Sequence, residues 1–171
     1  MTKEEKKKTF EQFYAMGLRY LTASIKTEFE VRKYLQRKKV PEFDIERIVI
    51  KLKDYNYIDD DEYTRIFAEN KRMDNMSPFA VKYGLKQKGI QGSDAEKIIK
   101  KIYKDFNEKK VAREMAMEKA AKLTDKTPTK KLSKIMSLLK RKGFDRETIY
   151  YAMEPVMSQL NKDGKIGIET D

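Results

Sequence analysis

Asp59-Asp60-Asp61-Glu62 is the one cluster of carboxylates in this 171-residue chain. It is the obvious candidate for metal binding or general acid–base work, because divalent cations favour carboxylate oxygens. At a helix start, however, these residues would radiate over different faces. No second acidic cluster in the sequence could complete a coordination shell. A helix cap explains them better. Asp59 would satisfy the first free N–H groups, and its neighbours would lie against the positive end of the helix dipole, worth about 0.3–1 kcal/mol each.

Other chemistry is limited by residue type. Cysteine and histidine are both absent, which excludes disulfides, thiolate nucleophiles, imidazole bases and His-containing metal sites. Gly164-Lys165 lacks the upstream glycine and the Ser/Thr of a phosphate-cradling loop. Catalytic residues, metal ligands and cofactors are therefore expected to be none. Tyr55, Tyr57, Tyr63 and Phe67 could stack on bases, but their spacing suits packing where one helical group hands over to the next, and they are expected in the core.

The remaining signal is charge. The formal net charge is +11 and the isoelectric point about 9.5, which favours an anionic partner such as nucleic acid, an acidic protein surface or anionic lipid. Arg32, Lys33, Arg37, Lys82, Lys86 and Lys88 lie off the apolar stripes of their helices. They form the candidate contact set.

The elements that must position these residues are helical. Seven glycines and four prolines supply few tight turns for a sandwich or barrel. Phe10, Phe13, Tyr14, Gly17, Leu18, Leu21 and Ile25 recur at three- and four-residue spacing, the signature of a first helix. Thr27 with Glu30 reads as a capping box, opening a second helix striped by Phe29, Val31, Tyr34, Leu35 and Lys38. Asp44 is expected to cap a third, with Ile45, Ile48, Val49 and Leu52 inward. No apolar run approaches the roughly 20 residues that span a bilayer. The N-terminal MTKEEKKKTF has no apolar segment behind it, so no signal peptide is expected. Cytoplasmic residence follows as the expectation.

The pattern then repeats. Val31, Leu35, Val40, Asp44, Ile48 and Leu52 return fifty positions later as Val81, Leu85, Ile90, Asp94, Ile98 and Ile102, with Phe29 returning as Phe79 and Thr27 as Ser77. A third copy places Leu139, Lys142, Gly143 and Phe144 at an offset of 54, then Asp145, Ile149 and Met153 at 51. The difference removes the connector Gln91-Gly92-Ser93. Such a period marks an internal repeat. Gly89 and Gly143 fall where a helix C-terminus wants a left-handed residue; Lys39 stands there in copy one, so that turn is expected to be strained or differently closed. Ser77-Pro78 and Thr127-Pro128 read as N-cap followed by N1 proline, and Ser93 with Glu96 as another capping box. A helix from about Asn107 to Leu123 opens copy three, with Val111, Met115, Ala116 and Ala120 inward. The tail after Asn161 lacks periodicity and is expected to be mobile.

Tyr57-Ile58-Asp59-Asp60 followed by Tyr63, Phe67 and Ala68 resembles the Y-[LI]-D-D-x-x-[FY]-A signature of the RecX regulatory proteins of bacterial recombination. Ser77-Pro78, Val81, Leu85 and Lys88-Gly89-Ile90 resemble that family's G-P-x-x-I-x-x-E-L-x-x-K-G-I segment. Gly17-Leu18, Leu21, Thr27, Glu30-Val31 and Tyr34-Leu35 echo its opening. The resemblance covers residues 13–151. Two departures stand out: Ala23, Ser24 and Lys26 replace arginines common between the first two helices, and Gly84 replaces the usual glutamate before Leu85. A glycine inside a helix costs about 0.5–1 kcal/mol relative to alanine.

The resemblance implies an all-α fold of three tandem three-helix repeats in an elongated, curved array. The expected divisions are residues 1–57 (tail and first repeat), 58–106 (second repeat), 107–160 (third repeat) and 161–171 (tail). It implies a regulatory protein, not an enzyme. The expected partners are RecA protein and the RecA–DNA filament, whose recombinase, ATPase and coprotease activities it would inhibit, with weak direct DNA binding besides. A monomer with no membrane association is expected. The alternative is a sequence-tolerant DNA-binding protein whose triplets act like helix-turn-helix units.

Overall fold

A computed structural model describes residues 9–124 and 127–162; the tail expected after Asn161 lies almost wholly outside them. Among the described residues there are nine α-helices and no strand. They are α1 (Phe10–Thr22), α2 (Glu28–Arg37), α3 (Glu42–Asp54), α4 (Asp60–Met73), α5 (Pro78–Gln87), α6 (Ser93–Ile102), α7 (Glu108–Lys122), α8 (Pro128–Arg141) and α9 (Arg146–Lys162). The all-α expectation holds. The chain forms two compact units. One runs up to Phe67 and includes Gly84–Ile98; the other takes Ala68–Tyr83 and the chain from Ile99 onward. The divisions between them fall inside α4, α5 and α6.

The first unit is built on the expected stripes. Phe13, Val31, Leu35, Val40, Ile45, Ile48, Val49, Leu52 and Ile58 are its buried core, and burying each large aliphatic chain contributes roughly 1.5–3 kcal/mol. Gly17 lets α1 approach α3, since a Cβ there would stand 3.4 Å from the Ile48 side chain. In the second unit, Ala112, Ala116 and Ala120 form a line of small residues on α7, facing Ile149, Ala152, Met153, Val156 and Leu160 of α9. Ile135 and Leu139 of α8 close that core. The expected inward residues Val111 and Met115 pack at its margin.

Several local expectations are corrected. α1 ends at Thr22, leaving Ile25 outside it and exposed. Asp44 does not cap α3: the helix starts earlier, at Glu42 after Pro41, and Pro41's carbonyl accepts from Asp44 and Ile45. Similarly, α6 already includes Ser93, and the Gly92 carbonyl accepts from Glu96. Thr127 precedes the N1 proline without a side-chain cap bond. In each case the backbone supplied the closure that a side chain was expected to give. Phe29 is exposed as well, off the core stripe.

Three turns share one closure. Val40 N–H donates to Leu35 O (3.1 Å), Ile90 N–H to Leu85 O (3.0 Å) and Phe144 N–H to Leu139 O (3.3 Å). The residue before each donor has positive φ: Lys39 at 58°, Gly89 at 80° and Gly143 at 83°. The Lys39 turn is therefore strained but not differently closed, with a lysine in a conformation that costs an L-residue about 1–2 kcal/mol.

Candidate interaction surface

The acidic stretch is a structural junction. Asp59 Oδ1 accepts from Glu62 N–H at 2.8 Å, making Asp59 the cap of α4 as expected. Asp60 turns away from its own helix end and accepts from the backbone N–H of Glu28, at 2.9 Å, so it caps the start of α2 instead. Burial is the main cause that pushes its carboxyl above the ordinary 3.8. No group of three or more potential metal-ligating side chains is assembled among the described residues.

Glu28 anchors a network of charge beside that cap. It accepts from Arg32 Nε and Lys53 Nζ, each at 2.8 Å. Its own burial works the other way, yet those two donors hold its carboxyl below the ordinary 4.5. Arg32 also forks onto Glu46, Nη1 and Nη2 lying 2.5 and 3.0 Å from the two carboxylate oxygens. A bidentate guanidinium–carboxylate pair fixes geometry as well as energy.

The six predicted contact residues consequently fall into different situations. Arg32 is half-buried and committed to Glu28 and Glu46. Lys88 is committed too: its Nζ lies 2.6 Å from Glu30 Oε1, and that hydrogen bond raises its pKa above the ordinary 10.5. Lys33 lies over the Phe29 ring, 5.1 Å from its centroid. Lys33 and Arg37 share one face of α2 at i, i+4 spacing and are exposed, as are Lys82 and Lys86 on α5. The exposed cations among the candidates are thus Lys33, Arg37, Lys82 and Lys86, in two pairs.

The structure also brings together residues that the sequence reading placed differently. Tyr55 and Tyr57 were expected in the core, but both are more than half exposed. They follow α3, where the chain turns through Asn56 with φ of 57°, and Ile58 is the residue of this connection that enters the core in their place. Tyr63 and Phe67, stacked on each other, are partly buried. Phe43, Arg47 and Lys51 on α3, continued by Tyr55 just past its end, form a stripe at four-residue spacing. Arg47 stands 4.3 Å from the Phe10 centroid and 5.5 Å from that of Phe43. Lys51 stands 4.4 Å from that of Tyr14. Burial, followed by Tyr57 and Tyr55 close by, raises the Tyr14 pKa. The signal for this stripe was present as a second four-residue spacing on α3, beside the one that fills the core.

Gly84, the departure in α5, has a packing reason. A Cβ there would lie 2.8 Å from Phe67 Cζ, so the Phe67 ring occupies the space that any larger residue would need.

The architecture is therefore that of an all-α protein whose repeated turns are closed the same way and whose acidic cluster is a pair of helix caps. Residues 14–52 match the family model for the first three-helix domain of RecX. The chain is 35% identical over 144 residues to the regulatory protein RecX of Clostridium beijerinckii, covering 83% of this chain and 67% of that one. It is 31% identical to that of Clostridium acetobutylicum, over 85% and 69% of the two chains. The match to the regulatory protein RecX of Streptococcus agalactiae serotype V is 31% identical, over 88% of this chain. It spans 57% of that relative's length. The crystal structure of RecX from Lactobacillus salivarius shares the fold at TM-score 0.64 and 23% identity, over 87% of this chain and 97% of that one. The chain belongs to the RecX family of regulatory proteins. No helix among the described residues is long and apolar enough to cross a membrane.

Proposed function

We propose that this chain binds RecA protein or the RecA–DNA filament and inhibits recombinase, ATPase and coprotease activity by obstruction, without chemistry of its own. Family membership carries the reading. It is supported by the +11 net charge and by the absence of the cysteine and histidine on which much enzyme chemistry depends. An electropositive chain suits a filament that presents phosphates and acidic protein surface. Lys33, Arg37, Lys82 and Lys86 are the proposed contacts, while Arg32 and Lys88 act by holding the helices that carry them. Residues 1–57, 58–106 and 107–160 remain the proposed repeats.

Co-sedimentation with RecA filaments across a salt series, with bare DNA as control, tests this. The expected result is recovery with filaments beyond that with DNA alone, weakening as salt rises. Equal recovery with bare duplex, with a steep negative salt slope, would instead support a DNA-binding protein.

A further inference from the structure

We infer that Tyr20 and Tyr34 form an oxidative cross-linking site, where a one-electron oxidant joins α1 to α2 through a dityrosine bond. Tyr20 stands near the end of α1 and Tyr34 within α2, both half-buried at the edge of the first core. Their rings lie face to face, 4.1 Å between centroids and 1° from parallel. Aromatic pairs ordinarily settle edge-on or offset, with centroids about 4.5–7 Å apart. This pair is closer, so the carbons of one ring face those of the other across little more than a van der Waals contact. By contrast, Tyr55 and Tyr57 are 6.4 Å apart and tilted by 44°.

The composition directs one-electron oxidation to tyrosine. Cysteine and tryptophan, the other side chains that readily lose a single electron, are both absent, while tyrosines number 10. The 9 methionines are instead oxidised to sulfoxides by two-electron oxidants. Lys26 Nζ lies over the Tyr20 ring, 5.4 Å from its centroid, and Lys38 Nζ over that of Tyr34 at 5.7 Å. Two cations beside the stack favour an anionic oxidant, of which the carbonate radical anion is a simple case.

Each of two carbonate radical anions takes one electron and the phenolic proton from a ring and leaves as bicarbonate. The two phenoxyl radicals then join through one ring carbon ortho to each oxygen. The hydrogen on each of those carbons moves to the oxygen of its ring through solvent, restoring both phenols. The net change is one new C–C bond and the loss of two hydrogen atoms. Ring contact lets this outrun other fates of a tyrosyl radical, because neither partner has to diffuse. The bond closes the chain across the turn at residues 23–27 and so restricts the unfolded state.

Radiolysis of a dilute solution of the whole chain in bicarbonate, which generates the carbonate radical anion, tests the site. The expected product is a monomer lighter by two hydrogen atoms that shows the blue fluorescence of dityrosine. Trypsin cuts after Arg19, Lys26, Lys33 and Arg37, so its digest should contain peptide 20–26 joined to peptide 34–37. Y20F and Y34F each keep the stacked ring but cannot form the second radical, and each should lose that product. Y55F combined with Y57F should keep it. The linked chain should also melt above the parent, because its unfolded state is restricted. Absence of the joined peptides, their persistence in Y20F or Y34F, linkage of other tyrosines alone, or a linked chain that melts no higher than the parent would overturn the proposal.

Discussion

The Thr27 hydroxyl donates to the backbone carbonyl of Lys88 at 2.8 Å, across 61 residues of sequence. The same hydroxyl accepts from Glu30 N–H and so caps α2. Ser77 repeats the arrangement fifty residues on: it accepts from Ala80 N–H and donates to Gly143 O at 2.6 Å. Each cap thus also fastens a later turn, and the glycine in that turn is where the two backbones come close. A Cβ on Gly89 would stand 2.3 Å from Phe29 Cβ, and one on Gly143 2.5 Å from Ala80 Cβ. Lys39, at the corresponding place in the first copy, is exposed. Its left-handed backbone is strained, but its side chain extends into solvent.

The three turns should therefore respond differently to substitution. Gly89→Ala and Gly143→Ala combine the left-handed penalty of about 1–2 kcal/mol with an overlap that only backbone movement relieves, so each should lower unfolding free energy by about 2–4 kcal/mol. Lys39→Gly removes strain but adds freedom to the unfolded chain, and should change stability by less than about 1 kcal/mol. Urea unfolding of the three variants measures the contrast.

Asp59→Ala should behave as a lost cap, lowering stability by about 0.5–2 kcal/mol while leaving RecA inhibition at folded concentrations intact. Thermal unfolding alongside an inhibition assay reports both. Loss of inhibition at unchanged stability would make the junction a contact site.

Gly84→Ala, which ordinarily strengthens a helix, should destabilise this one because of Phe67. Pairing it with Phe67→Leu should recover part of the loss, giving a favourable coupling energy in a double-mutant cycle. Additive effects would show that Phe67 is not what requires the glycine.

Asp60 and Glu28 should impose opposite pH dependences. Asp60's carboxyl titrates above its ordinary value in the fold, chiefly because it is buried. Its contribution is present at acid pH and is lost as pH rises through the folded value. Glu28 titrates below its ordinary value despite burial. Its contribution is present above the unfolded value and is lost as pH falls through the folded one. Melting temperatures across the acid range should show Asp60→Asn losing less stability than the parent as pH rises past the ordinary aspartate value of 3.8. Glu28→Gln should lose stability mainly on the neutral side of 4.5.

The helices and their core faces were legible because they rest on local signals. Val31, Leu35, Ile48 and Leu52 announce burial by spacing, and Thr27 with Glu30 announces a cap. What was not legible depends on residues far apart in sequence. Nothing near Asp60 indicates that it serves the N-terminus of α2 rather than its own helix. Nothing near Arg32 shows that Glu46 will claim its guanidinium. Gly84 read as a weakness until Phe67 was placed against it. Tyr55 and Tyr57 were misread because aromatic spacing at a junction does not say whether a neighbouring helix arrives to cover them.

The most direct test titrates the chain into RecA's DNA-dependent ATPase and strand-exchange reactions, beside a variant with Lys33, Arg37, Lys82 and Lys86 changed to glutamine. The account predicts dose-dependent inhibition by the parent chain, with the variant equally stable but several-fold weaker. No inhibition at any stoichiometry would contradict the proposed function, and full inhibition by the variant would contradict the proposed contacts.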